Sequence, residues 1–83
     1  MQDVKNIIGN NIRKIRESKN ISQRSLAKKC QVSNSTISRI ESGKTRVSFE
    51  ILQIICKVLK CKIYQIFNED EIMKQDIKEL KNL

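Results

Sequence analysis

The stretch QVSNSTISRIESGK, residues 31–44, decides the fold of this chain. Ile37 and Ile40 sit at helical spacing, so the segment reads as a short amphipathic helix. Its other face carries Asn34, Ser35, Ser38, Arg39 and Ser42. Serine and asparagine are mediocre helix formers, because their side chains compete for local backbone hydrogen bonds. On a solvated face glutamate, lysine or glutamine would serve better. A wheel at about 100° per residue places the polar set within an arc of roughly 140°, opposite the isoleucines. That outer face is short, polar and rich in both donors and acceptors. Such a surface suits a helix lying deep in a DNA major groove, where long side chains would hold it off.

The segments on either side repeat one local signal. Ile21-Ser22 is followed by Leu26, Val32-Ser33 by Ile37, and Val47-Ser48 by Leu52. Each serine is placed to cap a helix N-terminus, and each flanking apolar pair to form a hydrophobic staple. Cys61-Lys62 with Ile66 keeps the staple and lacks the serine. The pattern predicts helix starts near 22, 33, 48 and 62. Upstream, Val4, Ile7, Ile8, Ile12 and Ile15 follow the 3.6-residue period and predict a first helix over about 4–18, stopping in Lys19-Asn20. The second helix runs Gln23 to Cys30 and buries Leu26, Ala27 and Cys30. A tight turn at Gln31 leads to a reading helix over about 34–42, ended by Gly43 in a left-handed conformation. A mostly apolar fourth helix spans 49–59 and a short fifth 62–67. A sixth, amphipathic segment starts at Asn68, with Glu69, Asp70 and Glu71 in its first turn and Met73, Ile77 and Leu80 as its stripe.

Two short helices joined by a three-residue turn inside a helical domain make a helix-turn-helix. The expected fold class is all-α: a five-helix DNA-binding domain over residues 1–67, with an additional C-terminal helix over 68–83 as dimerisation element or, alternatively, as a cap folded back onto its own domain.

Composition agrees and excludes alternatives. The 83 residues suffice for one modest core. With no Pro, two Gly and 4% aromatic residues, the chain argues for helices over sheet. Residues 1–62 hold fourteen Lys/Arg against four Asp/Glu, a balance of +10, and residues 63–83 hold three against five, a balance of −2. A basic body with an acidic end implies a polyanionic partner for the body. There is no His, no CxxC and no glycine-rich phosphate loop, which speaks against an enzyme and calls for no cofactor and no metal. The three cysteines, Cys30, Cys56 and Cys61, each lie beside apolar residues and are expected as buried, reduced thiols in a cytoplasmic protein. The N-terminus lacks the pattern of a secretion signal, and the apolar run at 51–59 is too short to cross a membrane. Sequence-specific RNA binding normally uses exposed aromatic rings; of Phe49, Tyr64 and Phe67, two are expected in the core.

The stretch ISQRSLAKKCQVSNSTISRIESGK, with Ile12-Arg13 and Ile15-Arg16 before it and VSFEILQIICKVLKCKIYQIF after it, resembles the Cro and phage-repressor type of helix-turn-helix protein. The likeness covers about residues 7–67 and rests on Ser22-Gln23, Leu26-Ala27, Val32-Ser33, Ile37-Ser38, Ile40-Glu41 and Gly43-Lys44 as a set. It implies a transcriptional regulator, usually a repressor, that binds double-stranded DNA at a palindromic operator as a homodimer. Antitoxins and restriction–modification controller proteins reuse the same domain and are the alternatives it implies. Carried onto matching positions, it implies base reading by Ser33, Asn34, Ser35, Ser38 and Arg39. Phosphates would be held by Gln23, Arg24, Ser42, Lys44, Thr45 and Arg46. Arg16 and Glu41 match a pair that ties the first helix to the end of the third, a structural role. Dimer contacts are expected from Ile63 and Ile66 together with Met73, Ile77 and Leu80. The family often has Gly where this chain has Gln31 and Lys60, and Pro where it has Val47. A non-glycine residue at positive φ costs about 1 kcal/mol.

Overall fold

The computed structural model describes residues 4–67, which form five helices and no strand. These are α1 (Val4–Ser18), α2 (Gln23–Cys30), α3 (Asn34–Glu41), α4 (Phe49–Leu59) and α5 (Ile63–Ile66). The all-α, five-helix expectation holds for these residues. The expected sixth helix over 68–83, with Met73, Ile77 and Leu80, lies outside the described residues.

The serine signals mark the helix starts. Ser22, Ser33 and Ser48 have extended backbone, and each Oγ accepts from the backbone N–H three residues on: Ser25 at 3.0 Å, Thr36 at 3.1 Å and Ile51 at 3.2 Å. At α5 the missing hydroxyl is replaced from the other side. Gln65 Oε1 accepts from the Lys62 backbone N–H at 2.7 Å, the reciprocal half of a capping box.

Four helices also end alike. Asn20, Gln31, Gly43 and Lys60 all have positive φ, at 58°, 59°, 73° and 53°. After each, a backbone N–H returns five residues to a helix carbonyl: Ile21 to Arg16, Val32 to Ala27, Lys44 to Arg39 and Cys61 to Cys56, at 3.0–3.2 Å. These are Schellman closures, which satisfy carbonyls that the helix leaves orphaned. Only one of the four uses glycine. Helix α3 stops one residue earlier than expected, with Ser42 as its cap, and α5 is trimmed at both ends to 63–66.

The core gathers Ile8, Ile12, Leu26, Ala27, Cys30, Ile37, Ile40, Leu52, Ile55, Leu59 and Ile66 from all five helices. Fully burying one such isoleucine or leucine contributes about 1.5–3 kcal/mol. Ile21, Val32 and Val47, the residues preceding the capping serines, are half-buried against it. Helix α1 packs on α3 and α5, α2 on α3 and α4, and α4 on α5.

Three expectations are corrected here. Ile66, expected in a dimer contact, is 0% exposed within its own domain and has no surface left for a partner. Only Cys30 is fully buried; Cys56 and Cys61 are half-covered, at the end of α4 and in the turn after it. Among the aromatic rings, Phe49 is 60% and Tyr64 69% exposed, because both occupy the first turn of a helix, outside its buried stripe. No helix among the described residues is long and apolar enough to cross a membrane.

Candidate nucleic-acid interface

Helix α3 is held by its inner face and by its C-terminal end. Ile37 and Ile40 are buried in the core. Beside them α1 approaches at Gly9, so closely that a Cβ there would collide with the Ile40 carbonyl oxygen and lie 2.9 Å from that of Glu41. Only glycine lets two helix backbones meet in this way. Just past the helix, Asn6 lies over Gly43.

An ion pair fixes the same end. Glu41, with its side chain 2% exposed, accepts from Arg16 Nε at 2.7 Å and from Arg16 Nη2 at 3.0 Å. Arg16 Nη1 donates to the Ile21 carbonyl at 2.8 Å, joining α1 to the start of α2. The Glu41 hydrogen bond pushes the Arg16 pKa above its ordinary value, against the opposing effect of burial. Gln23 completes the cluster, with Nε2 donating to Glu41 Oε1 at 2.9 Å. One buried carboxylate thus gathers the first residue of α2, the last turn of α1 and the end of α3.

The outward face of α3 divides into committed and uncommitted side chains. Ser33 Oγ is committed to the cap and lies 2.8 Å from Thr36 Oγ1, so its hydroxyl serves the helix start. Ser42 Oγ donates to the Arg39 carbonyl at 3.2 Å. Ser38 is half-buried. Asn34, Ser35 and Arg39 are exposed, and among the described residues Asn34 and Arg39 make no side-chain hydrogen bond or ion pair. Asn34 offers a donor and acceptor pair that matches adenine N6 and N7, and Arg39 a fork that matches guanine O6 and N7.

The residues expected at phosphates flank that face. Arg24 is exposed on the first turn of α2, and Lys44 and Arg46 are exposed in the loop after α3. Thr45 is half-buried, its hydroxyl 3.5 Å from the Arg46 carbonyl oxygen. Gln23 is half-buried and donates one amide hydrogen to Glu41, which leaves its second N–H as a donor. Ile63, on α5 and away from α3, is 39% exposed. Among the described residues no group of three or more acidic or cysteine side chains is arranged to hold a metal.

Two residues that position the helices, Gly9 and Asn11, were less visible in sequence than the Arg16–Glu41 pair. Gly9 has a signal, since glycine inside a helix weakens it unless a close approach requires it. Asn11 has almost none: it is buried in the apolar stripe of α1, and its Nδ2 donates to the Ile66 carbonyl at 2.9 Å, fixing α5 to the domain.

Among curated proteins, the antitoxin PezA of Streptococcus pneumoniae serotype 4 is 31% identical over 67 residues, which cover 81% of this chain. The match spans only 42% of the antitoxin's own length. Among solved structures, the clp gene regulator ClgR of Corynebacterium glutamicum is 26% identical, with a TM-score of 0.81 over 94% of this chain and 85% of that one. The restriction-modification controller protein C.Esp1396I is 26% identical, with a TM-score of 0.73 over 94% and 99% of the two chains. The family model described as helix-turn-helix matches residues 12–66, and the chain belongs to that family of DNA-binding transcription regulators.

Proposed function

We propose that this protein reads a specific double-stranded DNA sequence as a two-fold dimer and represses transcription from a palindromic operator. The observation that carries the reading is the exposed, uncommitted pair Asn34 and Arg39 on a helix clamped at its far end by Arg16, Glu41 and Gly9. A rigid helix bearing free base-matching groups is what major-groove readout requires. Ser35 stands beside them, while Ser33 and Ser38 contribute less because one is spent on the cap and the other is half-covered. Arg24, Lys44, Arg46 and the free N–H of Gln23 supply phosphate contacts. Dimer contacts come from Ile63 and from Met73, Ile77 and Leu80 in the segment that follows.

Selection of bound sites from random duplex DNA tests this reading. The expected result is an inverted repeat whose half-site centres lie about 34 Å, one helical turn, apart. A pool that never enriches beyond its starting composition would remove sequence-specific binding, and an enriched asymmetric single site would remove the two-fold arrangement. A second reading is favoured by the likeness to C.Esp1396I, which runs almost the full length of both chains. On that reading the operator governs a restriction–modification system, and a nuclease gene beside the coding sequence would support it.

A further inference from the structure

The two half-covered cysteines share one turn. Cys56 is the fourth residue from the end of α4, and Cys61 stands just beyond the left-handed Lys60. The Schellman hydrogen bond that closes α4 runs from the Cys61 N–H to the Cys56 carbonyl, at 3.0 Å. Even fully extended, the path from one Cα through that hydrogen bond to the other is only about 7 Å long. The path bends at the carbonyl and at the amide, so the Cα separation is shorter than this limit, towards the about 4.4–6.8 Å that a disulfide spans. In this motif the side chains at these two positions normally touch as an apolar contact. Here both are thiols, and the neighbouring Cys61 adds to the rise in the Cys56 pKa. Cys30 lies apart from them in sequence, buried on α2.

We propose that Cys56 and Cys61 form a dithiol site that a hydroperoxide converts to an intramolecular disulfide, locking the joint between α4 and α5. The first step is attack by the Cys61 thiolate on the terminal oxygen of hydrogen peroxide. The O–O bond breaks, Cys61 becomes a sulfenic acid, and the departing hydroxide takes a proton to leave as water. The Cys56 sulfur then attacks the Cys61 sulfur, the S–O bond breaks, and a second water leaves with the Cys56 proton. Two thiols are oxidised by two electrons and one peroxide is reduced to two waters. The order follows from the surroundings: burial, and then the neighbouring Cys61, push the Cys56 thiol up to about 11, so Cys56 remains protonated and resolves the intermediate in place of starting the reaction. Cys30 is removed from the chemistry by burial, which also raises its pKa. The bond would tie the end of α4 to the residue two positions before α5, the helix that carries Ile63 and Tyr64 at the surface.

The test treats the reduced full chain with graded hydrogen peroxide and follows intact mass and a tryptic map. The expected product is lighter by two hydrogens, regains them with dithiothreitol, and retains one titratable thiol. Lys57 and Lys60 lie between the two cysteines, so trypsin separates Cys56 from Cys61 unless they are bonded. The diagnostic fragment therefore joins the peptide 47–57 to the peptide 61–62. Formation should accelerate from pH 7 towards pH 10, because the thiolate and not the thiol attacks the peroxide. Cys30→Ala should give the same linked fragment with no thiol left, and Cys61→Ser should abolish it. A linkage to Cys30, disulfides only between chains, or direct passage to sulfinic acid without the lighter species would overturn the assignment. The wild-type map alone decides the matter if either variant fails to fold.

Discussion

Glu41 binds Arg16 through both carboxylate oxygens, at 2.7 Å from Nε and 3.0 Å from Nη2, with almost no solvent access on the acid side. Two ions taken out of water lose hydration, and their attraction in a low-dielectric site offsets that loss only while both are present. Glu41→Leu alone should therefore lower unfolding free energy by about 3–5 kcal/mol, because it strands the guanidinium. Arg16→Met combined with Glu41→Leu should recover most of that loss. Urea denaturation of the wild type and the two variants measures it; a double variant no better than the single one would show that the pair is more than an exchangeable clamp.

Gly9 is the next test of how α3 is held. Glycine inside a helix is worth about 1 kcal/mol less than alanine, so Gly9→Ala would stabilise an isolated α1. In the protein the added methyl meets two backbone carbonyl oxygens of α3, which cannot swing aside as a side chain can. The expected net result is a loss of about 1–3 kcal/mol, with DNA affinity falling further than in an equally destabilised variant at a site remote from α3. A neutral or stabilised Gly9→Ala protein would mean that α1 and α3 stand further apart.

The left-handed positions predict gains. Gln31 and Lys60 have φ of 59° and 53°, where a β-carbon is strained. Gln31→Gly and Lys60→Gly should each raise stability by up to about 1 kcal/mol, reduced by the extra freedom glycine gives the unfolded chain. The two sites sit in different turns, so the gains should add. Asn20→Gly should gain least, since asparagine tolerates this conformation. Thermal melts of the single and double variants give the comparison.

Burial of Cys56 couples the stability of the fold to pH. Its folded pKa, about 11, is raised above the ordinary thiol value of 9.0. The folded state therefore holds this proton longer than the unfolded chain, and the associated stability is full below pH 9. It is lost as pH rises from 9 towards 11. The stability difference between wild type and Cys56→Ala should accordingly be constant from pH 6 to 8 and shrink above 9. A difference that stays flat to pH 11 would place Cys56 in contact with water.

Much of this fold was legible because the sequence repeats its instructions. Three serines, each preceded by an apolar residue, fix where α2, α3 and α4 begin, and the isoleucine period fixes α1. What escaped belongs to contacts between elements. Asn11 sits in the apolar stripe of α1, and nothing local announces that its partner is the Ile66 carbonyl, 55 residues away. The same distance hid the burial of Ile66, which reads as one of two surface isoleucines until α5 is seen folded against α1 and α4. The candidate site follows the same division. The polar arc of α3 is written in the order of its residues, whereas the bonds that occupy Ser33 and Ser42 appear only in three dimensions.

That distinction sharpens the last prediction, on DNA readout. Asn34 and Arg39 are five residues apart, about 7.5 Å along the helix axis, and both side chains are uncommitted. Each substitution to alanine should cost about 1–3 kcal/mol and relax preference at one base position, an adenine for Asn34 and a guanine for Arg39. Ser42 and Ser33 bond their own helix, so Ser42→Ala should leave base preference intact, and Ser33→Ala should act through stability and the loss of a cap worth about 1 kcal/mol. Lys44→Ala should weaken all sequences alike and make the dependence of log K on log salt shallower by about 1 per site. For a dimer neutralising about 5–8 phosphates, the wild-type slope should be about −5 to −7. Binding titrations over a set of single-base operator variants, repeated at several salt concentrations, separate these effects. If Asn34→Ala left both affinity and preference untouched while Ser42→Ala shifted a base, the reading edge would lie towards the C-terminal end of α3, and α3 would enter the groove by the other end.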